Sequence, residues 1–133
     1  MVTYDDFKKV EIRAGRILSA EKIPDTDKLL KLMVDFGETE EVKDLTQAVD
    51  VAGSIQAKNK IVPKPRQIVS GISGYFPDPS VLVGKTCMFV TNLEPRNIKG
   101  FESNGMLFAL STEQGGFSLL EPNNSIPPGT LAK

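Results

Sequence analysis

Arg96 and Lys99 are the only cations between Lys85 and Lys133, and both fall in one stretch, Asn92-Leu-Glu-Pro-Arg-Asn-Ile-Lys-Gly-Phe-Glu-Ser-Asn-Gly-Met106. Pro95 fixes its own φ and drives Glu94 out of the helical region, so the chain turns here. Gly100 and Gly105 permit a positive φ or a close backbone approach. The stretch leaves one apolar run, Cys87 to Val90, and enters another, Met106 to Leu110. Such a loop is either an ordinary solvated connection or a binding surface presented by a rigid scaffold, and the rest of the chain favours the second.

The groups that usually carry catalysis are scarce. There is no histidine, which removes the commonest general base and the commonest metal ligand. The single cysteine, Cys87, cannot build a structural zinc site or an internal disulfide, and its apolar run Thr86-Cys-Met-Phe-Val90 reads as the setting of a buried, inert thiol. No Gly-rich phosphate loop is present. Asp25 and Asp27 flank Thr26 in a polar turn, where solvated carboxylates are expected. The expectation is a non-catalytic chain with no metal and no cofactor.

At 133 residues the chain is expected to be a single domain. Hydrophobic content of 40% and charged content of 25% are those of an ordinary globular protein. A net charge of -1 means that any nucleic-acid site must be a local patch. The first residues are acidic where a signal peptide is basic, and no apolar run approaches the roughly 20 residues that span a bilayer. A cytoplasmic location without membrane contact is expected.

The elements that must position the loop follow in order. Thr3 caps a short helix, with Tyr4, Phe7 and Val10 at helical spacing and Asp5 and Asp6 in its first turn. Ile12 to Ile23 reads as a long strand in which Ile12, Ala14, Arg16 and Leu18 form a mostly apolar face, and Gly15 marks a bulge or bend. Pro24 to Asp27 turns, and Leu29 to Phe36 is the second strand. Residues 38–65 read as a solvated insertion between strands 2 and 3: an acidic part with Val42, Leu45, Val49 and Ala52 at helical spacing, then a basic, proline-containing extended part, Lys58 to Arg66. A basic finger toward a polyanion is the other reading of that segment. Gln67 to Ile72, Lys85 to Thr91 and Asn104 to Leu110 supply the remaining strands. Ser80 to Val83 is one helical turn, Gln114 to Gly116 is a hairpin turn, and Pro122 to Gly129 is a tail that can line the body but not enter a sheet centre. The fold class is all-β: a five-stranded OB-fold barrel with short peripheral helices and the insertion 38–65.

Five ordered motifs carry a resemblance. Asp27-Lys-Leu-Leu-Lys-Leu32, Asp35-Phe-Gly37, Arg66-Gln-Ile-Val-Ser-Gly-Ile72, Asn92-Leu-Glu-Pro-Arg-Asn-Ile-Lys-Gly100 and Ser103-Asn-Gly-Met106 resemble the tRNA-binding domain of the methionyl-tRNA synthetase C-terminus. The same motifs resemble stand-alone tRNA-binding proteins, the C-terminal part of endothelial monocyte-activating polypeptide II and the CsaA export chaperone. The resemblance covers residues 1–37 and 66–133. It implies an OB-fold that binds tRNA by shape, and a homodimer formed through the N-terminal helix and C-terminal segments. It also implies an appendage or beta subunit of the synthetase rather than its catalytic chain. The family joins strands 2 and 3 by a short hairpin, so 38–65 departs from it.

The physical chemistry of tRNA agrees. A protein that binds many tRNAs must use phosphates, 2′-hydroxyls and exposed bases. Arg96 and Lys99 can neutralise phosphate, Asn92 and Ser103 can hydrogen-bond sugar or phosphate, and Met106 offers an apolar face. Lys28, Lys31 and Arg66 could extend the patch, with Asn92, Arg96 and Lys99 foremost. Two other readings stand beside this one. One is a CsaA-like chaperone that holds unfolded segments in an apolar groove. The other is a binder of single-stranded DNA, which an aromatic content of 7% disfavours.

Overall fold

The computed structural model describes residues 1–44 and 58–133. After helix α1 (Tyr4–Phe7) come β1 (Ile12–Lys22), β2 (Leu30–Asp35), β3 (Thr39–Asp44), β4 (Lys58–Pro63) and β5 (Arg66–Ser70). Beyond two 3₁₀ turns, Ser73–Tyr75 and Pro79–Leu82, follow β6 (Thr86–Val90), β7 (Arg96–Ile98), β8 (Phe101–Ser103), β9 (Met106–Leu107), β10 (Ala109–Ser111) and β11 (Phe117–Leu119). Five of these strands make one antiparallel sheet in the order β5-β2-β1-β6-β9, which curls into a nearly closed OB-like barrel. β10 and β11 pair as the expected hairpin.

Alternation explains the core where it is regular. Along β2, Leu30, Leu32 and Val34 point inward and are fully buried, while Lys31, Met33 and Asp35 lie at the surface of the barrel wall. They pack with Ile17, Phe36, Ile68, Leu82, Cys87, Phe89 and others in a single cluster. Each buried Leu or Ile contributes roughly 1.5–3 kcal/mol relative to exposure. Phe36 and Phe89 meet edge to face at 5.2 Å. Burial pushes the Cys87 thiol up to about 11, with Glu121 adding to the rise, so it stays a protonated packing group.

β1 departs from the sequence reading. Its inward residues are Gly15 and Ile17, whereas Arg16 and Leu18 face solvent. The register slips between Ile17 and Ser19, so the bulge lies at Leu18 and not at Gly15. Gly15 serves close packing instead: a Cβ there would stand 2.5 Å from Phe36 Cε1 and 2.6 Å from Val34 Cγ1. Ala14 is buried on the other face by the tail. Gly129 N–H donates to the Ala14 carbonyl at 2.7 Å, and Ala14 N–H donates to the Thr130 carbonyl at 2.9 Å.

The insertion also differs. Thr39–Asp44 and Lys58–Pro63 pair in register as an antiparallel ribbon, so Val42 belongs to a strand and not to a helix. Leu45, Val49 and Ala52, the other positions of the expected helix, lie outside the described residues. Lys64 N–H donates to the Glu38 carbonyl at 2.9 Å and closes the base of the ribbon.

Candidate nucleic-acid interface

The stretch that reads as a loop in the sequence is a hairpin arm. β7 and β8 pair Arg96 with Ser103 and Ile98 with Phe101. Lys99 and Gly100 turn the chain with φ of 53° and 87°, the left-handed pair that a tight hairpin turn requires. Asn97 Oδ1 accepts the Gly100 N–H at 3.0 Å and holds the turn from below.

Arg66 fixes the root of this arm. Its Nη1 donates to the Thr91 carbonyl at 2.6 Å and to the Asn104 carbonyl at 3.3 Å, so one guanidinium grips both ends of the segment. Its Nε and Nη2 donate to the two carboxylate oxygens of Glu38, at 2.6 Å and 2.8 Å. The guanidinium also lies 5.4 Å from the centre of the Phe36 ring. The hydrogen bonds from Arg66 hold the Glu38 carboxyl below the usual carboxylate range, and Glu38 in turn raises the Arg66 pKa. Thr91 is further tied to Glu11, whose carboxyl also takes the Arg13 guanidinium.

Two more of the expected contact residues serve the fold. Asn92 Oδ1 accepts the Glu11 N–H at 2.8 Å and its Nδ2 donates to the Lys9 carbonyl at 2.6 Å, which anchors the segment after α1. Ser103 is buried, accepts the Val69 N–H at 3.0 Å and donates to the Gly105 carbonyl at 3.1 Å. This link and the Asn104 N–H to the Gln67 carbonyl, at 2.9 Å, tie the segment after β8 to the β5 edge of the barrel. Gly105 permits the approach, because a Cβ there would lie 3.0 Å from both Ile68 Cδ1 and the Val90 carbonyl oxygen. Arg66, Asn92 and Ser103 thus have their polar atoms taken by the protein itself.

The remaining five stay accessible. Arg96, Lys99 and Lys28 are exposed, and Met106 is 44% exposed. Lys31 lies 3.4 Å from Glu21 and 5.7 Å from the centre of the Phe101 ring, so its ammonium is steered toward the arm. Arg96 and Met106 share a cleft of about 300 Å³ with Leu93, Ile98, Val69 and Gly71. A wider groove of about 660 Å³ runs between the arm and the base of the ribbon, past Met33, Lys64, Leu93, Pro95 and Glu102. Leu93 and Ile98 have no place in the sequence reading of the site. Their signal is an apolar residue on each side of Arg96 in an otherwise polar run.

A small antiparallel barrel with a cationic arm beside apolar clefts has the architecture of an OB-like binding module. The chain belongs to the family described as "Putative tRNA binding domain", which matches residues 54–131. Over 132 residues it is 38% identical to a methionine–tRNA ligase of Methanocella arvoryzae; the match takes in 99% of this chain and 15% of that protein. The chain therefore spans about 15% of the length of the ligases it matches. Among solved structures, a MetRS-related protein of Pyrococcus horikoshii is 33% identical, with a TM-score of 0.75 over 100% of this chain and 98% of that one. A CsaA chaperone protein of Picrophilus torridus is 25% identical, with a TM-score of 0.71 over all of both chains.

Proposed function

We propose that this chain is a tRNA-binding module that grips tRNA through phosphate and shape, and that it works within or beside a methionine–tRNA ligase. The observation that carries this reading is the arm. Arg96 and Lys99 project from a hairpin whose two ends are clamped by the one guanidinium of Arg66, so little freedom is lost when a phosphate is bound. Lys28, Lys31 and Met106 extend the surface, while Arg66, Asn92 and Ser103 position it. The chain contributes no catalytic group. It raises the local concentration of tRNA near a catalytic chain, an effective-concentration effect that needs only modest affinity. Its place is the cytoplasm, where aminoacylation occurs.

The module acts as a homodimer. Tyr4 and Phe7 are 75% and 57% exposed, and with Val10 and Leu131 they form an apolar surface between α1 and the tail. Isologous pairing of that surface buries it.

A second reading, a CsaA-like chaperone, is favoured by the apolar cleft around Leu93, Ile98 and Met106. Titration of the protein with several unrelated tRNAs, and separately with an unfolded polypeptide, tests both. Binding of all tRNAs in the micromolar range with a steep salt dependence supports the first reading. Absence of tRNA binding at low salt, with binding of the polypeptide, overturns it.

A further inference from the structure

The other side of the arm holds a second cleft of about 350 Å³. It lies between the β1–β2 turn and the arm's tip and is lined by Asp25, Asp27, Lys28, Leu29, Ile98 and Lys99. Ile98 lines both this cleft and the cleft of Arg96 and Met106. The turn that forms its far wall is held fast. Thr26 donates both its N–H and its hydroxyl to the Ile23 carbonyl, and the Lys28 carbonyl accepts the Ser73 N–H at 2.9 Å. Its tips, Asp25 and Lys99, are the two described non-glycine residues with a left-handed backbone.

The lining is chemically specific. Leu29 and Ile98 give the cleft apolar lining, and its volume exceeds that of one nucleobase. Lys28 and Lys99 bring two ammonium groups to the same cleft. Carboxylates beside such a site repel a polyanion unless the ligand brings N–H donors to them. Guanine presents two adjacent donors, N1–H and N2–H, which match the two oxygens of one carboxylate. Adenine presents an acceptor beside its donor, and cytosine does the same. Uracil presents one donor between two carbonyls.

Resting on the tRNA-binding reading above, we propose that this cleft is a subsite for an unpaired guanine nucleotide. Lys28 and Lys99 take the phosphate, and Asp25 or Asp27 accepts the guanine edge. Such a base must be unstacked from its helix to enter, which suits recognition of loops rather than duplex.

The test is a nuclear magnetic resonance titration of the isotope-labelled protein with GMP and with AMP. GMP is expected to move the amides of residues 25–29 and 99, with an affinity about tenfold above that of AMP. Either Asp25→Asn or Asp27→Asn should bring the two nucleotides to equal affinity, because an amide offers one acceptor where guanine needs two. Asn is tolerated in the left-handed region, so Asp25→Asn keeps the turn, and the unchanged amide spectrum elsewhere reports an intact fold. Lys99→Asn should weaken GMP and AMP alike. Equal affinities in the wild type, shifts confined to other regions, or a preference that survives in both aspartate variants would overturn the subsite. Whole tRNA is titrated alongside. Binding of tRNA without a guanine preference removes this subsite alone, whereas a guanine preference without tRNA binding removes the function proposed above.

Discussion

Arg66 and Glu38 meet as a two-point pair, Nε to Oε1 at 2.6 Å and Nη2 to Oε2 at 2.8 Å, at the corner where the ribbon leaves the barrel. The pair joins two departures from the barrel, since the same guanidinium also holds Thr91 and Asn104 at the roots of the arm. Arg66→Ala should therefore cost about 1–3 kcal/mol in a denaturant melt and weaken tRNA binding as the arm loses its clamp. Arg66→Lys should not restore either property, because one ammonium cannot reproduce the fork. Full stability in both variants would show that the clamp is ornamental.

The same pair sets an acid limit. The Glu38 carboxyl is depressed in the folded state below the ordinary value of 4.5, chiefly by hydrogen bonds from Arg66. A depressed acid contributes stability that is present above its unfolded pKa and is lost as pH falls through the folded one. Glu11, depressed first by its hydrogen bond with Arg13, acts in the same direction. Thermal melts from pH 7 downward should fall below about pH 4.5, and Glu38→Gln should flatten that fall.

Arg96 is exposed on β7, so Arg96→Ala should leave thermal stability nearly unchanged. It should weaken all tRNAs alike by roughly 1–3 kcal/mol and reduce the log–log salt slope by about 0.7–0.9 for each phosphate left without its cation. Titrations at a series of salt concentrations measure both. Equal affinities and slopes for the two proteins would remove Arg96 from the binding surface.

Residues 39–63 should be dispensable for folding. The Lys64 N–H to Glu38 carbonyl bond, at 2.9 Å, already has the form of a two-residue hairpin closure. Replacing 39–63 by Asn-Gly keeps that bond and keeps Glu38 for Arg66. Long surface insertions cost only about 0.6 kcal/mol per doubling in length. A shortened chain that unfolds without cooperativity would make the ribbon part of the core.

The exposed surface of Tyr4, Phe7 and Leu131 should hold two copies together at tens of micromolar protein (on the order of a working concentration above a specific dimer's dissociation constant). Sedimentation of the wild type should give a dimer, and Phe7→Glu a folded monomer. A wild-type monomer under these conditions would end the dimer proposal.

The local code was legible where its physics is local. Thr3 caps α1 by accepting the Asp6 N–H at 3.1 Å, as Thr before two aspartates implies. Pro95, Gly100 and Gly105 mark the turn and the close approach that the arm uses. The alternation of β2 marks its buried face, because nothing interrupts the period. In β1 the same rule named the wrong face: Gly15 and Ile17 point inward, while Ala14 is hydrogen-bonded to the tail and Leu18 is exposed, so the apolar residues of the other face never meet the core. Val42 kept helical spacing while standing in a strand, because its pairing partner, Lys60, comes from the far side of the insertion.

The sequence by itself determined the all-β class, the turn positions and the motifs that mark the family. Only the tertiary structure showed which polar residues of the candidate site the protein itself engages. Asn92 and Ser103 stand in the same run as Arg96 and Lys99, and nothing in the run separates them. Their partners lie elsewhere: the Lys9 carbonyl and the Glu11 N–H for Asn92, the Val69 N–H for Ser103. Those partners meet them only when the barrel closes. Ser103, which barrel closure removes from water, must find its partners within the protein, whereas the side chains of Arg96 and Lys99 stay exposed on the arm.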